Sequence, residues 1–376
     1  MKTIQFADSR AVLGGALMGV GSISVRDGRI SSIESESDGN ADFVGCDVFS
    51  GFIDVHNHGA VGVDVNSADA AALLRVAAFL ARHGVVAWMP TLVPDSHENY
   101  ERVIDAINEL MVMQAGKPVA QALGVHYEGV FASHAMCGAL RSQYFREWNG
   151  TIGLPKLDSG VHLTTVAPEV LGGIELIEEL VADGWIVSIG HTKADATTLD
   201  AAFVAGARHI THFFNAMTGI HHRDLGVAGW GLTNELITFD IIADGIHVAP
   251  EMLRLAIEVK GPQRVSLISD SVAPTGLGDG VFELWGEDMS VENGKTQNQR
   301  GSIAGSVCTM LDAARMVRKI GFGHADIAAM TSANPARLLG LPGRGTISIG
   351  DRADLVGVLT SGEIAFTMIG GEIIHA

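Results

Sequence analysis

A repeated alternation in the middle of the chain limits its possible folds more than any other sequence feature. Short, β-rich apolar runs occur at 51–58, 85–92, 119–128, 161–166, 185–191, 209–213, 236–243 and 265–270. Helical patterns lie between several of them, at 70–83, 101–113, 174–182, 195–207 and 250–259. Strands that alternate with helices form parallel sheets. Eight such strands favour a closed α/β barrel of the (β/α)8 TIM-like type over the structural alternative, an open doubly wound sheet.

The two ends of the chain lack this alternation and have the pattern of short strands joined by turns. An Asp27-Gly28 turn joins two runs near the start, and a Gly370-Gly371 turn joins two near the end. Neither end has enough strands for an independent sheet, so we expect both termini to form one small β-sandwich domain. The predicted division is 1–50 with 343–376 for this domain and 51–342 for the barrel.

The charge and cysteine content exclude several classes of protein. Asp and Glu number 43 against 25 Lys and Arg, which gives a formal net charge of −18 and argues against nucleic acid or an anionic membrane as partner. The 3 cysteines form no C-x-x-C pair, and the chain starts without the pattern of a signal peptide. We expect a cytoplasmic protein without membrane spans whose partner is a small molecule.

Side chains that bind metals or transfer protons stand at the ends of several predicted strands. They are His56 and His58 on the first strand, His126 and Glu128 on the third, His191 on the fifth, His212 on the sixth and Asp270 on the eighth. Each alone is more often structural, because a lone histidine packs in cores and an Asp caps helices. A barrel brings its strand ends to one rim, so together they indicate one or two divalent metal ions: Zn, Fe, Mn or Co.

A second polar group follows the sixth and seventh predicted strands. Asn215 and Ala216 come directly after the sixth strand, Arg223 lies a few residues further on, and His247 follows the seventh. The planar guanidinium of Arg223 suits a phosphate group, which predicts an anionic substrate. The alternative is that Arg223 pairs with Asp224 or another surface carboxylate.

Several motifs of the chain occur together and in a fixed order. They are GFIDVHNHG at 51–59, HYEG at 126–129, GHT at 190–192, HFFNAM at 212–217, HHR at 221–223, ADGIHV at 243–248, SD at 269–270, GSIAGS at 301–306 and NPA at 334–336. From about residue 20 to the C-terminus, the chain resembles the N-acetylglucosamine-6-phosphate deacetylase family, a branch of the amidohydrolase superfamily. No single motif carries this resemblance, which makes it specific.

The resemblance implies a barrel joined to a β-sandwich, usually as a homodimer, that removes the acetyl group from a phosphorylated amino sugar. It implies Glu128, His191 and His212 as ligands of one metal, and His56 and His58 as ligands of a second metal beside Asp270. The implied substrate contacts are Ala139, Leu140, Asn215, Ala216, Arg223, His247, Ile303, Ala304 and Gly305. Arg223 is expected to reach across the dimer interface.

The ligand set leads to a hypothesis for the chemistry. Bound divalent ions lower the pKa of a water towards neutrality, so that hydroxide attacks the amide of N-acetylglucosamine 6-phosphate. Asp270 accepts the proton of the water as general base. It then delivers the proton to the sugar nitrogen as general acid, because an amine leaves poorly as an anion. The products are glucosamine 6-phosphate and acetate.

Leu140 is the main departure from the family pattern. The family has a histidine at this position that contacts the substrate near the acetyl group, whereas leucine neither donates a hydrogen bond nor carries charge. Either His134 or a metal replaces that contact, or the substrate is a related one, such as N-acetylgalactosamine 6-phosphate or a cyclic amide. A different class of protein, a non-catalytic sugar-phosphate sensor on the same barrel, is the remaining alternative.

Overall fold

The structure, a computed structural model, describes residues 2–37 and 39–375. Its main element is a ring of parallel strands arranged in chain order, which are numbered here as barrel strands one to eight. They are Phe52–Asn57, Val85–Leu92, Gly124–Phe131, Val161–Val166, Ile186–Ile189, His209–Ile210, Thr238–Ile242 and Val265–Ile268. A further strand, Gln121–Ala122, pairs with the second barrel strand.

Backbone contacts between the eighth and first strands close the ring. The amide of His58 donates to the carbonyl of Ser271 at 2.8 Å, and the amide of Asp270 donates to the carbonyl of His56 at 3.0 Å. The predicted barrel is therefore confirmed, and the open sheet is excluded. Because all strands run in the same direction, the side chains that follow them meet at one rim.

The helices pack around the barrel through apolar faces. They are Ala70–Arg82, His97–Met113, Gly173–Ala182, Ala196–Ala205, Gly226–Thr233, Pro250–Lys260, Met310–Lys319, His324–Ala328 and Asn334–Leu338, with π-helical Ala329–Ala333 between the last two and 3₁₀ turns at His134–Met136, Ser142–Tyr144 and Pro262–Arg264. In the first helix, Asp69 caps the N-terminus while Leu73, Val76 and Leu80 face the core. In the described part of the chain, no helix is long and apolar enough to cross a membrane.

Strands from both ends of the chain form one mixed sheet beside the barrel. They are Lys2–Leu13, Ala16–Arg26, Arg29–Glu34, Phe43–Val44, Cys46–Ser50, Leu355–Leu359, Ile364–Ile369 and Glu372–His375. Leu355–Leu359 pairs antiparallel with Cys46–Ser50 and so joins the two ends. This sheet has a core of its own, which includes Ile23 and Phe366. The predicted fold class is confirmed, while the boundaries at residues 50 and 343 stay a prediction.

A small antiparallel sheet over the rim has no counterpart among the predicted elements. Its strands are Gly280–Leu284, Glu287–Glu292 and Lys295–Asn298, and we call residues 280–298 the rim sheet. The turn between its first two strands holds Trp285, whose φ of 54° is left-handed. The indole Nε1 of Trp285 donates to Asp64 at 3.1 Å, which fixes this turn above the first barrel strand. A two-stranded hairpin, Gly59–Ala60 with Val63–Asp64, lies beside it.

Candidate metal centre

Glu128 is the central residue of the site at the rim of the barrel. The Nε2 atoms of His191 and His212 lie 3.0 Å and 2.9 Å from its Oε1 atom and 3.1 Å from each other. All three residues are buried. Their possible ligand atoms lie within 4.8 Å of one another, so they form one cluster able to hold a metal ion.

A second cluster shares the same carboxylate. The Nε2 atoms of His56 and His58 lie 3.1 Å apart, and that of His58 lies 3.1 Å from Oε2 of Glu128. His56, His58 and Glu128 again have ligand atoms within 4.8 Å of one another. Oε1 of Glu128 lies near the histidines of the first cluster and, at 3.6 Å, near Nε2 of His56, whereas Oε2 lies near His58. Glu128 would therefore be available to an ion in either cluster.

The outer ring nitrogens of two histidines are held in the way that metal ligands require. Nδ1 of His58 donates to the carbonyl of Thr91 at 3.1 Å, and Nδ1 of His191 donates to the carbonyl of Met136 at 2.9 Å. These bonds direct the Nε2 atoms into the clusters, where a metal ion can bind them once they have lost their protons. Two imidazoles and a carboxylate in each cluster fit a divalent ion such as zinc, iron, manganese or cobalt.

Asp270 lies beside the second cluster. Its Oδ1 atom is 3.3 Å from Nε2 of His58 and 3.5 Å from Nε2 of His56. The backbone φ of Asp270 is 48°, and those of His191 and His212 are 49° and 34°. These left-handed conformations end the fifth, sixth and eighth strands early and turn the side chains inward, which is the kind of strain that active sites retain. The predicted strands ran too far for this reason.

Charges within the site determine which groups hold protons. Burial raises the pKa of Glu128, but the imidazole of His56 and hydrogen bonds from His191 and His212 outweigh it and hold this pKa well below the ordinary value. Burial raises the pKa of Asp270 too, but His56 and His58 lower it on balance. Both carboxylates are therefore ionised near neutral pH.

The same interactions raise the pKa values of two imidazoles, those of His58 and His212. Burial lowers the pKa of His58, but hydrogen bonds with Asp270 and Glu128 raise it to about 10. Burial and Glu128 compete in the same way at His212, where the pKa rises to about 9. Without a metal, these carboxylates are neutralised by protonated histidines, so metal ions and protons compete for the same nitrogen atoms.

A cavity of about 300 Å³ opens above the two clusters. Besides His58, Glu128, His191, His212 and Asp270, it is lined by Gly138, Ala139, Leu140, Asn215, Ala216, Ile242, His247, Trp285, Ser302, Ile303 and Gly305. The wall thus contains most of the predicted substrate contacts, brought together from the loops that follow several different strands. Their roles in binding stay a prediction.

His247 is held in a fixed orientation on the side of the cavity formed by the sixth and seventh strands. Its Nδ1 atom donates to Oδ2 of Asp244 at 2.7 Å. Asp244 also accepts the backbone amides of Ile246 and His247, each at 2.8 Å. The Asp244 carboxylate therefore fixes the imidazole ring of His247 and leaves Nε2 available to a ligand.

Two predicted contacts lie elsewhere in this chain. Ala304 is buried behind its loop, where it packs in a small apolar cluster with Val272 and Leu284. Arg223 is exposed outside the cavity, and its guanidinium donates to His222 at 2.5 Å. Within residues 2–37 and 39–375, no carboxylate pairs with Arg223, so the alternative pairing with Asp224 is absent there. The reach of Arg223 to a partner subunit stays a prediction.

Two buried carboxylates, Asp240 and Asp54, lie beneath the clusters and were not among the predicted site residues. Oδ1 of Asp240 accepts the backbone amide of His212 at 2.5 Å, and its Oδ2 atom accepts Nε2 of His209 at 3.0 Å. Asp54 accepts the hydroxyl of Ser269 at 2.6 Å and the side-chain amide of Asn57 at 3.0 Å. These buried carboxylates position the backbone next to the ligands. The available signals were the place of Asp54 within the motif at 51–59 and, for Asp240, an Asp inside an otherwise apolar run.

Comparison with known proteins places this site in a family. The profile of the amidohydrolase family matches residues 48–374, which is most of the chain. The chain belongs to the amidohydrolase family. An N-acetylglucosamine-6-phosphate deacetylase of Bos taurus is 35% identical to this amidohydrolase over 395 residues, with 99% of this chain and 95% of the relative covered. The resemblance that the motifs predicted is confirmed.

Two further proteins are informative about this amidohydrolase. An N-acetylgalactosamine-6-phosphate deacetylase of Escherichia coli O157:H7 is 33% identical, with 86% of each chain covered. A mutant N-acetyl-D-glucosamine-6-phosphate deacetylase of Mycobacterium smegmatis, solved in complex with N-acetyl-D-glucosamine-6-phosphate, matches with a TM-score of 0.90, 30% identity and full coverage of both chains. The barrel and its attached sheet are thus shared with enzymes that act on amino-sugar phosphates.

Proposed function

We propose that this amidohydrolase removes the acetyl group of N-acetylglucosamine 6-phosphate, giving glucosamine 6-phosphate and acetate. The observation that carries this proposal is the pair of His/Glu clusters sharing Glu128, with Asp270 beside them at the floor of one cavity. Divalent ions in these clusters supply polarisation of the amide carbonyl and a water whose pKa lies near neutrality. His247 and Asn215 line the part of the cavity suited to the sugar phosphate.

Asp270 is the proton carrier in this proposal. The oxygen of a water forms a bond to the acetyl carbon, and the carboxylate of Asp270 accepts the proton that this water loses. The bond between the acetyl carbon and the sugar nitrogen then breaks, and the same proton moves from Asp270 to that nitrogen. The lowered pKa of Asp270 keeps it ionised and ready to accept the proton near neutral pH.

Acetate release from N-acetylglucosamine 6-phosphate tests the proposal when total metal is counted in the same sample. We expect rapid turnover with about two divalent ions per chain. Turnover with one ion per chain would refute metal binding at the second cluster but leave the proposed reaction standing. A fully metal-loaded protein that releases no acetate would refute the proposed substrate.

The galactosamine epimer is a second candidate substrate, because Leu140 lies in the cavity wall and the E. coli relative is named for that epimer. The two sugars differ only in the configuration at C4. A direct comparison of kcat/KM for the two 6-phosphates distinguishes them, and the dephosphorylated sugars serve as controls for phosphate recognition. We expect N-acetylglucosamine 6-phosphate to be preferred.

A further inference from the structure

Trp285 separates two cavities. On one side it lines the cavity above the metal ligands, where its ring packs edge-on to His58 with a centroid distance of 5.5 Å. On the other side it lines a polar cavity of about 910 Å³. That cavity is formed by residues following the first two barrel strands, including Asp64 and Asp95, together with Arg141. The indole is thus a wall that the catalytic chemistry itself does not use.

The direction of the substrate follows from the chemistry of the sugar, and this step rests on the proposed function. In a pyranose ring, C2 and C5 stand across the ring from each other, so the acylamino group and the phosphomethyl group point apart. The reacting amide must lie at the metal clusters and Asp270. With the phosphate on the side of Asn215 and His247, the acyl chain points to the opposite side of the rim.

The opposite side of the rim carries apolar side chains. In an eight-stranded ring, the second strand faces the sixth, so the polar cavity lies across the barrel from Asn215. Trp285 stands between it and the clusters, and the buried Leu140 lines the wall of the cavity above the clusters. Leu140 packs directly on Gly129, where an added Cβ would lie 2.2 Å from its Cδ1 atom. An acyl chain therefore meets an apolar surface made by a tryptophan and a leucine.

We propose that Trp285 sets the upper size of the N-acyl group that this site accepts. Its indole closes the acyl end of the cavity, so an acetyl group fits and longer acyl groups collide with the ring. The hydrogen bond from Nε1 to Asp64 holds the ring in this position. Without the indole, the cavity above the metal ligands would open into the polar cavity, and longer acyl chains would gain room.

The test compares N-acetyl-, N-propionyl- and N-butyrylglucosamine 6-phosphate, with release of the common product, glucosamine 6-phosphate, as readout. We expect the wild-type protein to lose about tenfold or more in kcat/KM for each added methylene. In Trp285→Ala, the ratio of butyryl to acetyl kcat/KM should rise at least about tenfold. Trp285→Phe should raise this ratio less. Because phenylalanine keeps an aromatic ring at the turn, it is the variant to use if the alanine variant fails to fold.

Val281→Ala is the matched control, because Val281 lies in the same rim sheet but is 71% exposed. In this variant, the ratio of butyryl to acetyl kcat/KM should equal that of the wild type. If folded Trp285 variants still hydrolyse the acetyl substrate but keep the wild-type ratio of butyryl to acetyl kcat/KM, the role of Trp285 is refuted while the proposed deacetylation stands. The same conclusion follows if the wild type hydrolyses all three substrates equally. No release from any substrate by metal-loaded wild type would refute the proposed function, and the inference with it.

Discussion

Asp270 faces the cavity beside His56 and His58, and it is the proton carrier of the proposed reaction. Asparagine has the same shape but accepts no proton. Asp270→Asn should therefore lower kcat for acetate release by about 10²- to 10⁴-fold. Equilibrium binding of N-acetylglucosamine 6-phosphate should stay close to that of the wild type.

Metal analysis is the control for this variant, because Asp270 also adjoins the second cluster. A metal content equal to that of the wild type, together with the loss of turnover, identifies the proton transfer as the missing step. Near-normal turnover in fully metal-loaded Asp270→Asn protein would refute its role as general base and acid.

Metal uptake should release protons. The pKa values of about 10 for His58 and about 9 for His212 lie above neutral pH, so both imidazoles are protonated at pH 7 in the metal-free protein. A metal ion binds only the neutral imidazole. We therefore expect release of about two protons per chain on metal addition at pH 7, and tighter metal binding as the pH rises.

Titration calorimetry in buffers with different ionisation enthalpies measures this proton count. The variant His212→Gln should release about one proton fewer, because one of the two raised groups is absent. Metal binding without proton release would show that the histidines are already neutral in the metal-free protein.

Single residues also show where sequence patterns suffice. The members of the two clusters were predictable because a barrel must bring its strand ends together: His56, His58, Glu128, His191 and His212. His126 was predicted with them, but it lies outside both clusters and its Nε2 atom bonds the hydroxyl of Thr165 at 2.8 Å. Trp285 was not, since its position depends on a turn that folds back over the rim from a distant part of the chain. Ala304 was predicted as a contact from its motif alone, but it lies behind the loop, because its neighbours Ile303 and Gly305 face the cavity.

At the scale of elements, Lys260 links two helices. Its Nζ atom donates to the carbonyls of Gly231 and Asn234, at 2.7 Å and 2.6 Å, at the end of the helix Gly226–Thr233. These carbonyls have no partner within their own helix turn. Lys260→Met keeps the apolar stem but leaves the carbonyls unsatisfied, so the free energy of unfolding should fall by about 1–3 kcal/mol.

Urea unfolding of the metal-loaded protein checks this value. Lys319→Met is the control, because Lys319 is exposed at the end of another helix and its loss should change stability by less than about 0.5 kcal/mol. Equal stability of Lys260→Met and the wild type would show that water replaces the lysine at these carbonyls.

The elements that escaped prediction have weak periodic patterns. Gly226–Thr233 contains glycines at 226, 229 and 231, which lower helix propensity, and the helix forms because Val227, Ala228 and Trp230 are buried by the fold. The rim sheet carried an available signal, since an Asn293-Gly294 turn stands between alternating runs. The strand ends were placed too late at positions 191, 213 and 270 because left-handed residues end those strands, and no periodicity reports this.

At the scale of the whole molecule, the net charge and the substrate have the same sign. A formal charge of −18 repels a sugar phosphate at long range, so the binding site must supply its own local positive charge. Within one chain, the carboxylates of Glu128 and Asp270 occupy the floor of the cavity, and Arg223 lies outside it. The described wall of the cavity holds neither Lys nor Arg, and we propose that Arg223 of a second copy of the chain supplies the positive charge beside His247.

Mixed dimers test whether Arg223 serves the partner's site. In a two-fold dimer each chain contributes the same surface to the interface. A chain with Arg223→Ala therefore inactivates the site of its partner, whereas a chain with Asp270→Asn inactivates its own site. In a dimer of one chain of each kind, one site then carries both changes and the other carries none. When the two variants are mixed in equal amounts and exchange freely, half of the dimers are mixed. Each mixed dimer has one intact site of two, so about a quarter of wild-type activity should return.

Asp270→Asn mixed with Glu128→Gln is the control, because both changes act within their own chain and every site in the mixture stays defective. Activity in the first mixture but not in the second requires a dimer whose sites are each completed by the other chain. If neither mixture recovers activity although exchange of subunits is demonstrated with tagged chains, Arg223 does not serve the site of the partner subunit.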